Sequence, residues 1–370
     1  MSQWFSWKYF FGRGVQAIAS PWSPPALDDL AAEEATRSLS PLAAPVHVRS
    51  GSAVVRIDNG VLVVEREGEP RFERPMELVS AVHIHGPATI TSPCVAQLIA
   101  QGTPVLWRSP SGYPIGCASP MHQAGLETRR AQYAAVGAPQ GLAIAQTLVA
   151  AKIVNMRGLV RRRAALAGRE CLDVLQHQAR HAHGATTLDT LLGLEGAATA
   201  QYFAAWPTMI SARAGDLTLD TRTRRPPQDE VNAMLSYAYA VLAGECLCAC
   251  AAAGLDARQG FLHRPRAGRP ALALDLMEPF RPLIADQAIL SGLNNGQLKP
   301  EHFRTEGHAV LMTDEGRRLA LDLIERRLVG SVTLDGRADA VTWREAIGLS
   351  ARALADALKN GTAFLAMEWP

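Results

Sequence analysis

Three segments in the second half of the chain place acidic or imidazole side chains in otherwise apolar surroundings. The first, LLGLEGAATAQYF (191–203), holds Glu195 among small and apolar residues with helical spacing. An unpaired carboxylate there is costly to bury, although a partly exposed acid on one helical face would also satisfy the pattern. The second, GFLHRPRAGRP (260–270), puts His263 in a loop punctuated by Gly and Pro, followed by Arg264, Arg266 and Arg269. A loop histidine is commonly a polar surface group, but the arginines beside it suit phosphate contacts. The third, ALDLMEPFRPLIAD (273–286), spaces Asp275 and Glu278 three apart, on one face of a helix. A purely structural alternative has Asp275 capping that helix and Glu278 pairing with Arg281.

Taken as a set, Glu195, His263 and Glu278, with Asp275 beside them, resemble a donor set for a cation. Oxygen ligands with one imidazole suit Mn²⁺ or Mg²⁺, the imidazole favouring Mn²⁺, whereas zinc more often recruits further His or Cys. A hard divalent ion near arginines is equipment for phosphodiester chemistry. Basic residues are plentiful nearby: Arg161, Arg162 and Arg163 in one run, Arg222, Arg224 and Arg225 in the TRTRRPP loop. Residues 126–230 carry 13 Lys+Arg against 9 Asp+Glu. Each arginine alone fits a solvated surface; gathered on the face of the acids they would make a phosphate track.

These residues need elements to position them. The chain has 370 residues, 48% hydrophobic and 19% charged, enough for about two globular domains. Its 37 Lys+Arg and 35 Asp+Glu leave a formal charge of +2, which excludes a uniformly polybasic binder but not a local basic face. From about 46 to 108 the pattern is strand-like. SAVVRI and VLVVER flank Asp58-Asn59-Gly60, a type I′ hairpin signal. LVSAVHIHG follows, then a short helix with Ser92 as cap and Pro93 in its first turn. TPVLWR reads as the last strand. Beyond about 125 apolar spacings of three and four predict helices through 126–166 and at 185–206, 229–253, 273–296, 314–328 and 342–359. The fold class is α+β: an extension over 1–44, a β domain over 45–124, and a larger all-α domain over 125–370 expected to hold the catalytic residues. No apolar run is read as long enough to span a bilayer, and the aromatic N-terminus does not resemble a signal peptide. Six cysteines, three of them in CLCACAAAG, lack zinc-finger spacing and fit small buried residues of a reduced, cytoplasmic protein.

Several of these segments together resemble the CRISPR-associated spacer-acquisition integrase and endonuclease family of prokaryotes. The resemblance rests on LEGAATAQYF, TRTRRPPQDEVNAMLSYAYAVL, GLDARQGFLHRPRAGRPALALDLMEPFRPLIAD, ETRRAQY and AAKIVNMRGLV, occurring in order over roughly 46–330. It implies an N-terminal β domain for dimerisation and partner contact, a helical catalytic domain and a homodimer. It also implies a complex with a small ferredoxin-like second Cas protein, and double-stranded DNA, prespacer and repeat, as substrate. The family's metal ligands fall on Glu195, His263 and Glu278, with Asp275 as an adjoining acid and Asn232 and Tyr237 packing near the site. RRPP and DLMEPFRP are most like type I systems that also use an Fe–S nuclease, sometimes fused at the N-terminus. Residues 1–44 are too short and cysteine-free for that nuclease, so it would be a separate chain.

Overall fold

The computed structural model describes residues 43–49, 51–118, 125–223, 226–334 and 339–369. The expected extension, except its last two residues, and both Arg224 and Arg225 lie outside the described residues. The chain opens with β1 (Ala44–Val48), β2 (Val54–Asp58), β3 (Val61–Glu65), β4 (Phe72–Pro75), β5 (Val79–His85) and β6 (Thr89–Ile90). Helix α1 (Ser92–Ala100) follows, then β7 (Val105–Arg108) and β8 (Pro114–Ala118). Two four-stranded sheets result, in the orders β1-β5-β7-β8 and β4-β3-β2-β6. The β2–β3 hairpin closes as its sequence predicts: Asn59 and Gly60 both take positive φ, +48° and +78°, the pair of left-handed residues a type I′ turn requires. Val48, Val55, Leu62, Val82, Ile84 and Leu98 bury themselves between the sheets and α1.

Two details differ from the sequence reading. The cap of α1 is Thr91, whose hydroxyl accepts from the Cys94 N–H at 3.4 Å, one residue ahead of Ser92. An eighth strand follows TPVLWR, pairing antiparallel to β7. Its PIGCA sequence lacks alternation, and it is an edge strand with Ile115 71% exposed.

The second part is mostly helical: α2 (Leu126–Ala135), α3 (Pro139–Arg163), α4 (Cys171–His183), α5 (Leu188–Ala204), α6 (Glu230–Ala252), α7 (Ala271–Met277), α8 (Gln287–Asn294), α9 (Asp314–Leu328) and α10 (Trp343–Asn360). Two short antiparallel pairs interrupt it, β9 (Phe303–Glu306) with β10 (Ala309–Met312) and β11 (Ser331–Val332) with β12 (Val341–Thr342). The single helix expected over 273–296 is instead α7, a wide π-type turn at Arg281–Asp286, and α8. Pro279 and Pro282 explain the break, since neither has an N–H for an α-helical bond. Helix α3 packs on α4 and α5, and α6 on α7 and α10. Contrary to the sequence reading, α3 and α6 are long and apolar enough to cross a bilayer, but 72% of each apolar window is buried by the rest of the fold. They are the core of the helical part. All six cysteines are free.

A buried polar network ties the β part to the helices. Arg108, 1% exposed, donates to His83 Nδ1 at 2.9 Å and to the Ala240 and Val241 carbonyls of α6 at 3.2 and 3.3 Å. Arg344 of α10 donates from Nε to Glu245 at 2.9 Å and from Nη2 to both Glu325 oxygens at 2.9 and 2.8 Å. Glu325 in turn meets His47 of β1 at 3.1 Å, and His47 contacts His85 at 3.0 Å. Gly244 makes this approach possible, because a Cβ there would strike the Arg108 guanidinium.

Candidate active site

Glu195 lies on α5, Glu278 at the C-terminal cap of α7, and His263 in the loop leading into α7. The loop is held by Asp275, which is fully buried. Its carboxylate accepts from the backbone N–H groups of Phe261, Leu262 and His263 at 2.6, 2.9 and 2.9 Å. The same group contacts His263 Nδ1 at 2.6 Å. A carboxylate already accepting three N–H bonds takes the imidazole Nδ1–H as a fourth donor, which leaves the Nε2 lone pair free. Nε2 lies 3.9 Å from Glu278 Oε1. Asp275 thus organises the loop and orients the imidazole, and does not cap α7. Gly260 makes room for it: a Cβ there would sit 2.6 Å from Asp275 Oδ2 and 2.9 Å from the His263 carbonyl.

The two glutamates meet at a residue the sequence reading passed over. Lys152 of α3, 2% exposed, places its ammonium against Glu195 Oε1 and 2.7 Å from Glu278 Oε2. Thr199 donates a further hydrogen bond to Glu195 at 2.9 Å, and Arg281 lies 3.2 Å from Glu278 Oε1. Burial opposes ionisation of Glu278, but the charges of Arg281 and Lys152 outweigh it and bring its carboxyl down to about 2. Glu195 is likewise lowered: burial raises it, and Lys152 more than compensates. Both are therefore anionic at neutral pH.

Beneath the acids, Asp286 accepts from Tyr202 at 2.7 Å and Tyr239 at 2.6 Å. Complete burial pushes its carboxyl up to about 6 despite those hydroxyls and the nearby Arg281 and Arg222. Arg281 stacks on the Tyr239 ring at 4.6 Å, joining this layer to Glu278.

The remaining candidates are dispersed. Asn232 is buried and donates to the Thr221 carbonyl at 2.7 Å while accepting from the Thr223 N–H at 3.0 Å, so it fixes the loop before α6. Arg222 donates to Asn232 at 2.6 Å and lies over the Phe203 and Tyr239 rings at 5.9 and 5.5 Å. Tyr237 is buried against the β7–β8 turn, where a Cβ at Gly112 would be 3.1 Å from its ring. Tyr239, two residues on, is the tyrosine that reaches Arg281. Arg264 is exposed and 3.4 Å from Asp189, while Arg266 is exposed and Arg269 half-buried. Arg161, Arg162 and Arg163 end α3, with Arg162 over the Trp369 ring at 4.5 Å. They stand roughly 15 Å along the helix from Lys152, at 1.5 Å per residue. Among the described residues no three of His, Cys, Asp and Glu are arranged as a ready metal site; the ammonium occupies the space between the two glutamates.

Two four-stranded sheets followed by a mostly helical part are the architecture shared with solved Cas1 structures. The chain belongs to that family: residues 46–326 match the model for CRISPR associated protein Cas1. It is 38% identical over 320 residues to a CRISPR-associated exonuclease Cas4/endonuclease Cas1 fusion from Geobacter sulfurreducens, covering 84% of this chain and 57% of the fusion. It is 36% identical over 315 residues to CRISPR-associated endonuclease Cas1 1 of Thermus thermophilus, covering 85% of this chain and 94% of the relative. The chain spans little more than half the length of the fusion proteins it matches, 57% and 55%. Among solved structures, a CAS1 protein from Thermotoga maritima shares the fold, with a TM-score of 0.75 over 88% of this chain and all of the other, at 23% identity. A casposase bound to integration product gives a TM-score of 0.72 and 25% identity, over 88% of this chain and 94% of the casposase.

Proposed function

We propose that the chain is a metal-dependent DNA integrase and endonuclease of CRISPR adaptation, joining prespacer DNA to the repeat array. One observation carries the reading: Glu195 and Glu278, from distant elements, converge on a single cationic centre beside an imidazole whose Nε2 is left free by Asp275. The donor chemistry fits a divalent ion. Glu278 Oε2 is buried without a hydrogen-bond partner, its near neighbour being the ammonium, and two carboxylates with one imidazole suit Mn²⁺ or Mg²⁺. Glu195, Glu278 and His263 would hold it, and a bound ion would supply Lewis-acid stabilisation of charge on the phosphate and the leaving oxygen.

The protein's own groups do the positioning. Asp275 sets the imidazole tautomer and angle; Arg281 holds Glu278 from its far oxygen; Arg264 and Arg266 border the loop where a DNA phosphate would arrive. A prespacer 3′-hydroxyl attacks a repeat phosphodiester in line with the departing 3′-oxygen, and water in place of the hydroxyl gives strand cleavage. The names of the relatives, endonucleases and a casposase with its integration product, support this reading. Partners follow from the same family: a second copy of the chain, the small ferredoxin-like second Cas protein, and an Fe–S nuclease, in a prokaryotic cytoplasm. Structures with Cas1 and Cas2 together are among its neighbours.

The second reading is a DNA-binding scaffold without chemistry, favoured by one fact: Lys152 and Arg281 already balance both glutamates as ordinary ion pairs. Nicking and integration on branched DNA separate the two. Activity that needs Mn²⁺ or Mg²⁺, stops with chelator and disappears in Glu195→Ala supports the integrase; integration by Glu195→Ala or His263→Ala would sink it.

A further inference from the structure

Lys152 sits on the core side of α3, where Leu148, Val149, Ala150, Ala151 and Ile153 are all 0% exposed. A buried ammonium needs compensating charge. Its two partners are Glu195 and Glu278, the residues assigned above to a divalent ion. The other cation of the site is different in kind. Arg281 is planar, stacked on Tyr239 at 4.6 Å and engaged with the opposite Glu278 oxygen at 3.2 Å, so it stays whether or not the centre is filled. An ammonium is a compact charge on a flexible four-carbon stem, with no fixed fork to satisfy. A divalent ion bound by oxygens at about 2.0–2.6 Å would need the space that Nζ fills.

We propose that Lys152 is an internal occupant of the cation position, holding Glu195 and Glu278 together in the ion-free protein and swinging out when a divalent ion enters, so that it sets the affinity for that ion. This rests on the metal-dependent reading above. The exchange is a movement of a charged side chain, with no bond made or broken. It behaves as a conformational tax: if the position is open in only one molecule in about ten, apparent affinity is weakened about tenfold.

The test uses the full chain without DNA and the variant Lys152→Met, which conserves volume and removes charge. Mn²⁺ binding is measured by titration calorimetry and by the spin-resonance signal of free Mn²⁺, and thermal midpoints are taken in EDTA and in Mn²⁺. The variant is expected to bind Mn²⁺ about tenfold more tightly, to melt below the wild type in EDTA, and to gain more from Mn²⁺ than the wild type gains. Equal or weaker Mn²⁺ affinity in a folded variant overturns the role of Lys152 while leaving the metal reading intact. Absence of Mn²⁺ binding at millimolar concentration in both proteins overturns both. If Lys152→Met does not fold, Lys152→Gln is read by the same measurements. His263→Ala, which removes a ligand and not the competitor, should weaken Mn²⁺ binding in either background.

Discussion

The molecule buries two clusters of opposed charge, and they are balanced by different cations. Where β1, β5 and β7 meet α6, α9 and α10, Glu245 and Glu325 are joined by the guanidinium of Arg344 at 2.8–2.9 Å. Within the helices, Glu195 and Glu278 are joined by the ammonium of Lys152. Each cluster sets one cation between a buried glutamate, Glu245 or Glu278, and a partly exposed one, Glu325 or Glu195, and each depends on a glycine that admits a charged side chain, Gly244 for Arg108 and Gly260 for Asp275. The guanidinium forks across its acids in a fixed plane and welds two parts of the fold. The ammonium makes a point contact on a flexible stem, with no fixed fork to hold it. Charge balance is alike in the two clusters; the geometry of the counter-ion is what differs.

The sharpest way to break this contrast is to delete one member from each cluster. His263→Ala should lower nicking and integration by about 10²–10⁴-fold, the range for a lost acid–base or ligand group, with its urea unfolding midpoint little changed. Arg344→Leu should do the reverse: up to about 3 kcal/mol of unfolding free energy lost, because buried Glu245 and partly exposed Glu325 lose their shared counter-ion, with activity per folded molecule retained. Loss of activity in Arg344→Leu under conditions where circular dichroism shows it folded would erase the distinction.

A pH titration probes the layer under the helical cluster. The carboxyl of Asp286 titrates near 6 when folded, above its unfolded value, so the folded chain binds a proton the unfolded chain has already released. Its contribution to stability is therefore greatest below about pH 4 and falls as pH rises towards 7, by up to about 3 kcal/mol. Urea melts across that range should show the slope, and Asp286→Asn should flatten it.

Smaller effects refine the comparison. Gly260→Ala and Gly244→Ala should each cost about 1–3 kcal/mol as overpacking, measurable by urea melts. Only the first should also weaken Mn²⁺ binding, since only it displaces Asp275 and the imidazole. Smallest of all is Arg264→Ala. Its ion pair with Asp189 at 3.4 Å is exposed, so stability should move by less than about 0.5 kcal/mol, while the salt dependence of DNA binding, followed by fluorescence anisotropy, should lose about one unit of slope.

Much of this was visible in the sequence for local reasons. The Asp58-Asn59-Gly60 hairpin, the β-then-α order and the helices at 185–206, 229–253 and 314–328 follow from turn chemistry and periodicity. The triad of Glu195, His263 and Glu278 could be picked out because each is a polar residue in an apolar or Gly/Pro-marked setting. What escaped depends on distance along the chain. Lys152 in AAKIVNMRGLV reads as an incidental polar residue on an apolar helix, since its partners lie 43 and 126 positions away. An interior lysine with no neighbouring acid was the available signal. Asp275 looked like a partner for Glu278 because they share helical spacing; its fourfold engagement with the 261–263 loop is a tertiary fact. The Arg108–His83 and Arg344–Glu245 contacts are invisible to any local pattern for the same reason.

The wide turn at Arg281–Asp286 has a consequence for how this stretch can vary. Arg281 at its start serves Glu278 and Asp286 at its end serves Tyr202 and Tyr239. The turn carries one residue more than an α-helical turn would, so α7 and α8 are out of phase by about 100° relative to one continuous helix. Removing or adding a single residue there would rotate one end away from its partners while leaving the composition almost untouched. The segment is thus a spacer whose length is held as firmly as its apolar lining: Leu283 and Ile284, 1% and 0% exposed, should accept only apolar replacements in a library scan, and single-residue deletions between 281 and 286 should be tolerated nowhere.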